Sequence, residues 1–151
     1  MTVSQNYVGK NVDICVLETG AFAGPADVFV GWEQSGTVIS GPYKIVQKFV
    51  KFLLTERGTV PSNATYGTSF IGKLTTGRIS TQLALSLEFY ADLPEILNYI
   101  DSTNLNPSPD ETLSKVTLQS FIVSSDSAIM KLLFEFKDSS TILTPVNIPT
   151  I

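Results

Sequence analysis

Along residues 42–57 apolar positions recur at the spacing of a helix. Ile45, Val46, Phe49, Val50, Phe52, Leu53 and Leu54 make one wide stripe, and Lys44, Gln47, Lys48 and Lys51 fall on the other side. Gly41-Pro42 opens the segment, because proline at the first helical position needs no amide partner and has its φ already set. Gly58 is expected to close it in the left-handed region, with Arg57 beside the negative helix end. The pattern predicts a helix of about 16 residues, roughly 24 Å long, with a buried apolar face. Residues 59–67 follow as a run of turn formers ending in Tyr66-Gly67, and Phe70-Ile71-Gly72-Lys73-Leu74 is a short apolar segment. Tyr66 is expected on the apolar surface with its hydroxyl out, and Gly67 is expected to supply a backbone shape that other residues resist.

Before this stretch, residues 1–11 read as a flexible arm. Val12, Ile14 and Val16 alternate as a first strand, and residues 28–32 and 37–39 form two more short strands around the turn at 33–36. Trp32 reads as a core or interface anchor. After it, residues 80–90 form a second helix with Leu83, Leu87 and Tyr90 on one side and Ile79 and Leu85 or Phe89 near it, expected to pack on the first. Asp92 and Glu95 then have the spacing of a capping box that starts a third helix over 94–101. Residues 102–112 are the most loop-like segment. The last third changes period: Val116, Leu118, Phe121 and Val123 suggest a strand, and Met130, Leu132, Phe134 and Phe136 alternate more cleanly. Residues 137–140 turn the chain into a last strand over 141–148. Pro145 and Pro149 cannot donate ladder hydrogen bonds, so that strand belongs at an edge. The expected fold is α+β, with two or three helices packed on a small, mostly antiparallel β-sheet. Residues 1–151 are read as one domain.

One ordered set of residues resembles a known family. Val38-Ile39-Ser40-Gly41-Pro42, Ile45 and Gln47, then Leu53-Leu54-Thr55-Glu56-Arg57-Gly58-Thr59-Val60-Pro61 and Tyr66-Gly67 look like the signature of the small baseplate wedge proteins of contractile phage tails. These are the sheath initiators, historically called "lysozyme-like" baseplate proteins, with relatives in type VI secretion baseplates. The likeness covers about 40 residues well and the remainder by the order of its elements. Gly41, Pro42, Leu53, Leu54, Gly58, Tyr66 and Gly67 carry the local architecture. The resemblance implies a virion component, assembled in the host cytoplasm, with six copies ringing the tail tube. Its implied partners are other baseplate wedge proteins, the tail sheath protein, and tube or hub proteins. In that family the terminal strands engage the first ring of sheath subunits by strand exchange, and an edge strand permits this geometry. On that basis Ile142, Thr144, Val146 and Ile148 are taken as the partner-binding residues. Members of the family commonly carry a Glu-Pro-Arg tripeptide after the helical region; here Leu93-Pro94-Glu95 and Pro107-Ser108-Pro109-Asp110-Glu111 lack the arginine, so no charged-motif residue is carried over.

Composition narrows the chemistry. Ten basic against fourteen acidic residues give a net charge of −4, which argues against nucleic acid or an anionic membrane as partner. The single cysteine, Cys15, excludes an internal disulfide, and the absence of histidine removes the commonest acid-base residue and a major metal ligand. The amino terminus shows no signal pattern, and no apolar run approaches the roughly 20 residues of a spanning helix, so a cytoplasmic origin is expected. Asn63-Ala64-Thr65 fits a glycosylation sequon but reads as a polar turn in that setting.

Residues 67–73 imitate a phosphate-binding loop, yet Leu74 stands where Ser or Thr must reach magnesium, and no strand precedes it. A peptidoglycan glycosidase needs two carboxylates at a fixed separation, with Glu18, Glu33, Glu56, Glu88, Asp92 and Glu95 as candidates. Solvated or capping roles account for these acids. No Ser-His pair is possible, Cys15 lacks an activating imidazole, and residues 101–110 lack the spacing of a calcium loop. Lys44, Lys48 and Lys51 read as a solvated basic face. No catalytic, cofactor-binding or metal-binding residue is assigned. The expectation is a structural, non-enzymatic protein, with a glycosidase or a generic intracellular adaptor as the alternatives.

Overall fold

A helix with so few polar positions must be covered on more than one side, and this one is. In the computed structural model, which describes residues 12–14, 38–123 and 127–149, α1 (Pro42–Leu54) buries eight of its thirteen residues. It follows a short antiparallel ribbon in which β1 (Val12–Ile14) pairs with β2 (Val38–Ser40). On one side α1 meets a sheet, and on the other a long helix, α3 (Gln82–Thr103). Phe49 joins all three layers. Its ring stands edge-on to Phe134 of the sheet at 5.1 Å and tilted to Phe89 of α3 at 6.2 Å. Burial of each such side chain contributes about 1.5–3 kcal/mol.

Two positions expected on the solvated side of α1 are buried. Lys44 is 2% exposed and Gln47 fully covered. The Lys44 ammonium lies 3.6 Å from the Glu111 carboxylate, itself 3% exposed. That partner sits on a 3-10 turn, Pro109–Glu111, far along the chain, so local periodicity could not reveal it. Lys51 alone of the three lysines is exposed, which leaves no basic stripe.

The helix also ends earlier than expected, at Leu54 instead of Arg57. Thr55 is extended, with φ −90° and ψ 123°, and its hydroxyl donates to the Lys51 carbonyl at 2.6 Å. A returning segment satisfies the other end groups: the Thr68 hydroxyl donates to Leu53 O at 2.8 Å, and Thr68 N donates to Thr55 O at 2.9 Å. No left-handed cap is then needed. Gly58, with φ 86°, sits instead inside a turn closed by Thr59 N donating to Glu56 O at 3.2 Å.

The short helix α2 (Phe70–Thr75) buries Phe70 and Leu74 against α1. α3 then begins at Thr81, whose hydroxyl accepts Ala84 N at 3.1 Å, and runs unbroken through Pro94 for 22 residues. The expected division into two helices with an Asp92 cap is therefore corrected. Proline removes one internal hydrogen bond, but Leu85 and Phe89 before it and Ile96 and Ile100 after it are anchored in the same core. The packing face is corrected too. Leu83, Leu87 and Tyr90 point outward, and Leu85 and Phe89 point inward.

The sheet is antiparallel, in the order β3 (Leu113–Val123), β4 (Ser127–Phe136), β5 (Thr141–Pro149). Period-two alternation sends Met130, Leu132, Phe134 and Phe136 of β4 onto α1. Bulges at Ser114 and Gln119 re-aim β3. The β4–β5 turn is a three-residue loop: Ser139 N donates to Phe136 O, Phe136 N donates to Ser140 O, both at 3.0 Å, and Ser139 adopts φ 70°. The fold is α+β; the described residues form three helices on an antiparallel sheet with β5 at its edge. The amino-terminal arm at 1–11, the strand over 28–32, Cys15, Val16 and Trp32 lie outside the described residues.

Candidate functional site

Among the described residues β5 pairs with β4 alone. The bond from Phe136 N to Ser140 O fixes the alternation of the ladder, and the register runs without a shift from Glu135↔Thr141 to Ser127↔Pro149. Even-numbered residues of β5 therefore exchange hydrogen bonds with β4, and odd-numbered ones turn their backbone groups to the open edge. Pro145 and Pro149 fall on odd positions, where their missing N–H costs the sheet nothing. Carbonyls of Thr141, Leu143, Pro145 and Asn147 face outward, with N–H groups of Thr141, Leu143 and Asn147 between them.

The same parity corrects the expected contact residues. Ile142, Thr144, Val146 and Ile148 are 6, 0, 5 and 4% exposed and belong to the protein's own core. An incoming strand would meet backbone, and on the outer face the exposed Thr141, Pro145 and Asn147 with the half-buried Leu143. The signal was present in the chain: Ile142, Val146 and Ile148 share one parity, and the prolines share the other. The opposite edge of the sheet is engaged by α3, where the Tyr90 hydroxyl accepts Leu118 N at 3.2 Å.

The residues that carried the resemblance sit at the two ends of α1. Gly41, with φ 64°, caps its start and donates its N–H to Glu111 Oε1 at 3.2 Å, with Pro42 next at the first helical position. At the other end Leu53 is fully buried and Leu54 packs half-buried beside it. Gly58 turns the chain. Tyr66 lays its ring edge-on to Phe52 at 4.9 Å and to Tyr99 at 5.3 Å. Gly67 has φ 98°, and a Cβ there would lie 2.3 Å from Thr55 O.

The loop after α1 and the helix α2 are each fastened to α3 by charge. Arg57 bonds Glu95 and Lys73 bonds Glu88, each at 2.5 Å. Asp92 lies between the two acids on the helix, half-buried, with Oδ2 unpartnered. Burial, helped by Glu88 and Glu95, pushes its carboxyl above the usual range against the opposing pull of Lys73 and Arg57. The spacing of Glu88, Asp92 and Glu95 by four and three residues was the available sign of a shared helix face. Glu56 accepts Gly72 N at 2.9 Å, so a carboxylate occupies the amide that a phosphate loop would present to its anion. A cavity of about 180 Å³ opens between this loop and α3, with Phe52, Tyr66 and Tyr99 among its walls. Among the described residues Glu95 is the single carboxylate lining it, and it is committed to Arg57. A glycosidase site would need a second acid across the same space. Glu18 and Glu33 lie outside the described residues. Among the described residues no group of three or more possible metal-ligating side chains converges, and no helix is long and apolar enough to cross a membrane.

Comparison of the chain with protein-family models, with curated proteins and with solved structures finds no match in any of the three.

Proposed function

We propose that this chain is a structural subunit of a contractile phage tail baseplate. It joins wedge proteins around the tube and offers the outer edge of β5 to a strand of the first sheath ring. The observation that carries the reading is a strand bonded on one side only among the described residues, with three donors and four acceptors turned outward between residues 141 and 147. The resemblance of residues 38–67 supports the baseplate assignment. A pre-ordered edge lowers the cost of starting a sheath, since a free subunit would otherwise have to order its own pairing strand. Pro145 and Pro149 narrow the choice of partner: the incoming strand must donate to Pro145 O while receiving nothing there. Six copies in a ring would give the sheath six such starting points.

Removing residues 141–151 would strip Ile142, Val146 and Ile148 from the core, so deletion cannot test an edge role. The variant Leu143→Pro/Asn147→Pro removes two of the three outward donors and leaves the inward row intact. It should fold, give a native circular dichroism spectrum, and yield baseplates without attached sheath in electron micrographs. Sheathed, contractile tails from this variant would refute the edge role. Peptidoglycan turnover by the purified chain, abolished by Glu95→Gln, would replace the structural reading with an enzymatic one.

A further inference from the structure

Phe52, Tyr66 and Tyr99 touch one another, with ring centroids 4.9, 4.6 and 5.3 Å apart, so nothing fits between the rings. The cavity of about 180 Å³ lies against this cluster, and α3 forms much of its wall. Glu95, Asn98, Tyr99 and Ser102 fall at i, i+3, i+4 and i+7, which is one face of that helix, and all four line the space. From the loop come Asn63 and Thr65. Asn63 Oδ1 accepts Thr65 N at 3.2 Å and the Thr65 hydroxyl at 2.9 Å, which leaves the Asn63 amide NH2 to donate elsewhere.

Among the described residues, the Tyr99 hydroxyl and the Asn98 side-chain amide bond no other protein group. Burial holds the phenol above its ordinary value, so it meets a ligand as a neutral O–H. Ser102 gives its proton to Tyr99 O at 2.9 Å and keeps its lone pairs. Charge is cancelled at the rim, where Arg57 holds Glu95, and the lining includes no lysine, arginine or second acid. A phosphate would meet no cation in these walls, and a cation would meet only a carboxylate already matched.

We infer that the cavity is a binding site for one neutral sugar ring, a hexopyranose that lays its C–H face on the tyrosines and pairs its hydroxyls with Tyr99, Asn98 and Asn63. Such a ring meets both demands of the walls, an apolar face for the aromatic cluster and hydroxyls that donate and accept in turn. The volume sets the size. Drug-sized ligands take ~300 Å³ or more, so a single ring is held and further units of a chain lie in solvent. With one carboxylate only, the site binds a glycoside without cleaving it. No residue of β5 lines the cavity, so the site stands apart from the proposed edge role.

The test titrates the isotope-labelled full chain with the methyl glycosides of glucose, galactose and mannose up to ~100 mM, followed by NMR. At least one should give saturable shifts at residues 63–66 and 98–102, with a Kd of about 1–10 mM, as expected for so small a ligand. Tyr99→Phe keeps the ring and removes the hydroxyl, and Asn98→Ala removes an exposed amide from a helix; each should weaken binding about threefold to tenfold at an unchanged melting temperature. Three results overturn the inference: no saturable shift with any glycoside, the same shifts with glycerol at equal concentration, or affinity left unchanged by both variants. Tighter binding of N-acetyl-arginine methylamide than of every glycoside also overturns it, because the cavity would then be a cation site.

Discussion

The Glu111 carboxylate accepts the N–H of Gly41 at 3.2 Å, across 70 residues of chain, and so caps a helix whose own sequence supplies no capping side chain. The same oxygen faces the Lys44 ammonium at 3.6 Å, with both side chains nearly sealed from water. Replacing Glu111 by Gln keeps an acceptor for Gly41 but removes the carboxylate charge that faces the buried Lys44 ammonium. Urea unfolding should show a loss of about 3 kcal/mol. Adding Lys44→Met should recover a large part of that loss, and a double variant as weak as Glu111→Gln alone would show that the pair is not the source.

Gly58 and Gly67 both lie at positive φ, but only one is also confined. At Gly58 a Cβ would meet nothing within 4 Å, whereas at Gly67 it would strike Thr55 O. Gly58→Ala should cost about 1 kcal/mol, the strain of the left-handed region alone. Gly67→Ala must also push apart the segment that closes the end of α1, and should cost about 3 kcal/mol or more. Thermal melts of the two variants side by side check the difference; equal losses would mean that the returning segment yields freely.

Asp92 gives a pH dependence with a definite sign. Its folded-state carboxyl binds a proton more tightly than the unfolded one, chiefly because burial disfavours the charge. Its contribution is thus most favourable in acid, declines as pH rises from the usual carboxylate value through the raised one, and is flat above that. Asp92→Asn should be more stable than the parent at pH 7, by about 0.5 kcal/mol given the group's exposure to solvent. The advantage should vanish near pH 3.5, and paired urea titrations at the two values measure it. An advantage that persisted in acid would mean that the charge of Asp92 is not its cause.

The sheet was the most legible part of the chain. Alternation at Met130, Leu132, Phe134 and Phe136 states a half-buried strand directly, and Pro145 in mid-strand points to an edge, because a missing N–H would break the ladder of a central strand. The start of α1 was equally plain in Gly41-Pro42. Its end was not, since the carbonyls of Leu53 and Thr55 are satisfied by Thr68, a partner that no local pattern announces. Lys44 failed for a like reason, its counter-charge being a distant glutamate. On α3, apolar residues occupy both faces, so periodicity could not choose between Leu83 and Leu85 as the inward position. The residues expected to contact a partner, Ile142, Thr144, Val146 and Ile148, lie on the parity that faces the protein's own core: a strand's apolar row is used inside, and an open edge presents its backbone.

Phe49 and its neighbours on α1 are enclosed by pieces drawn from distant parts of the chain, and β5 leaves the ribosome after every other described element. Until it arrives, the row from Met130 to Phe134 lacks its second flank, and the chamber around α1 stays open on that side. A nascent copy consequently has no finished border for another strand to recognise. If β5 has the proposed edge role, that border comes into being together with the closing of the interior, and recruitment would then wait on maturation.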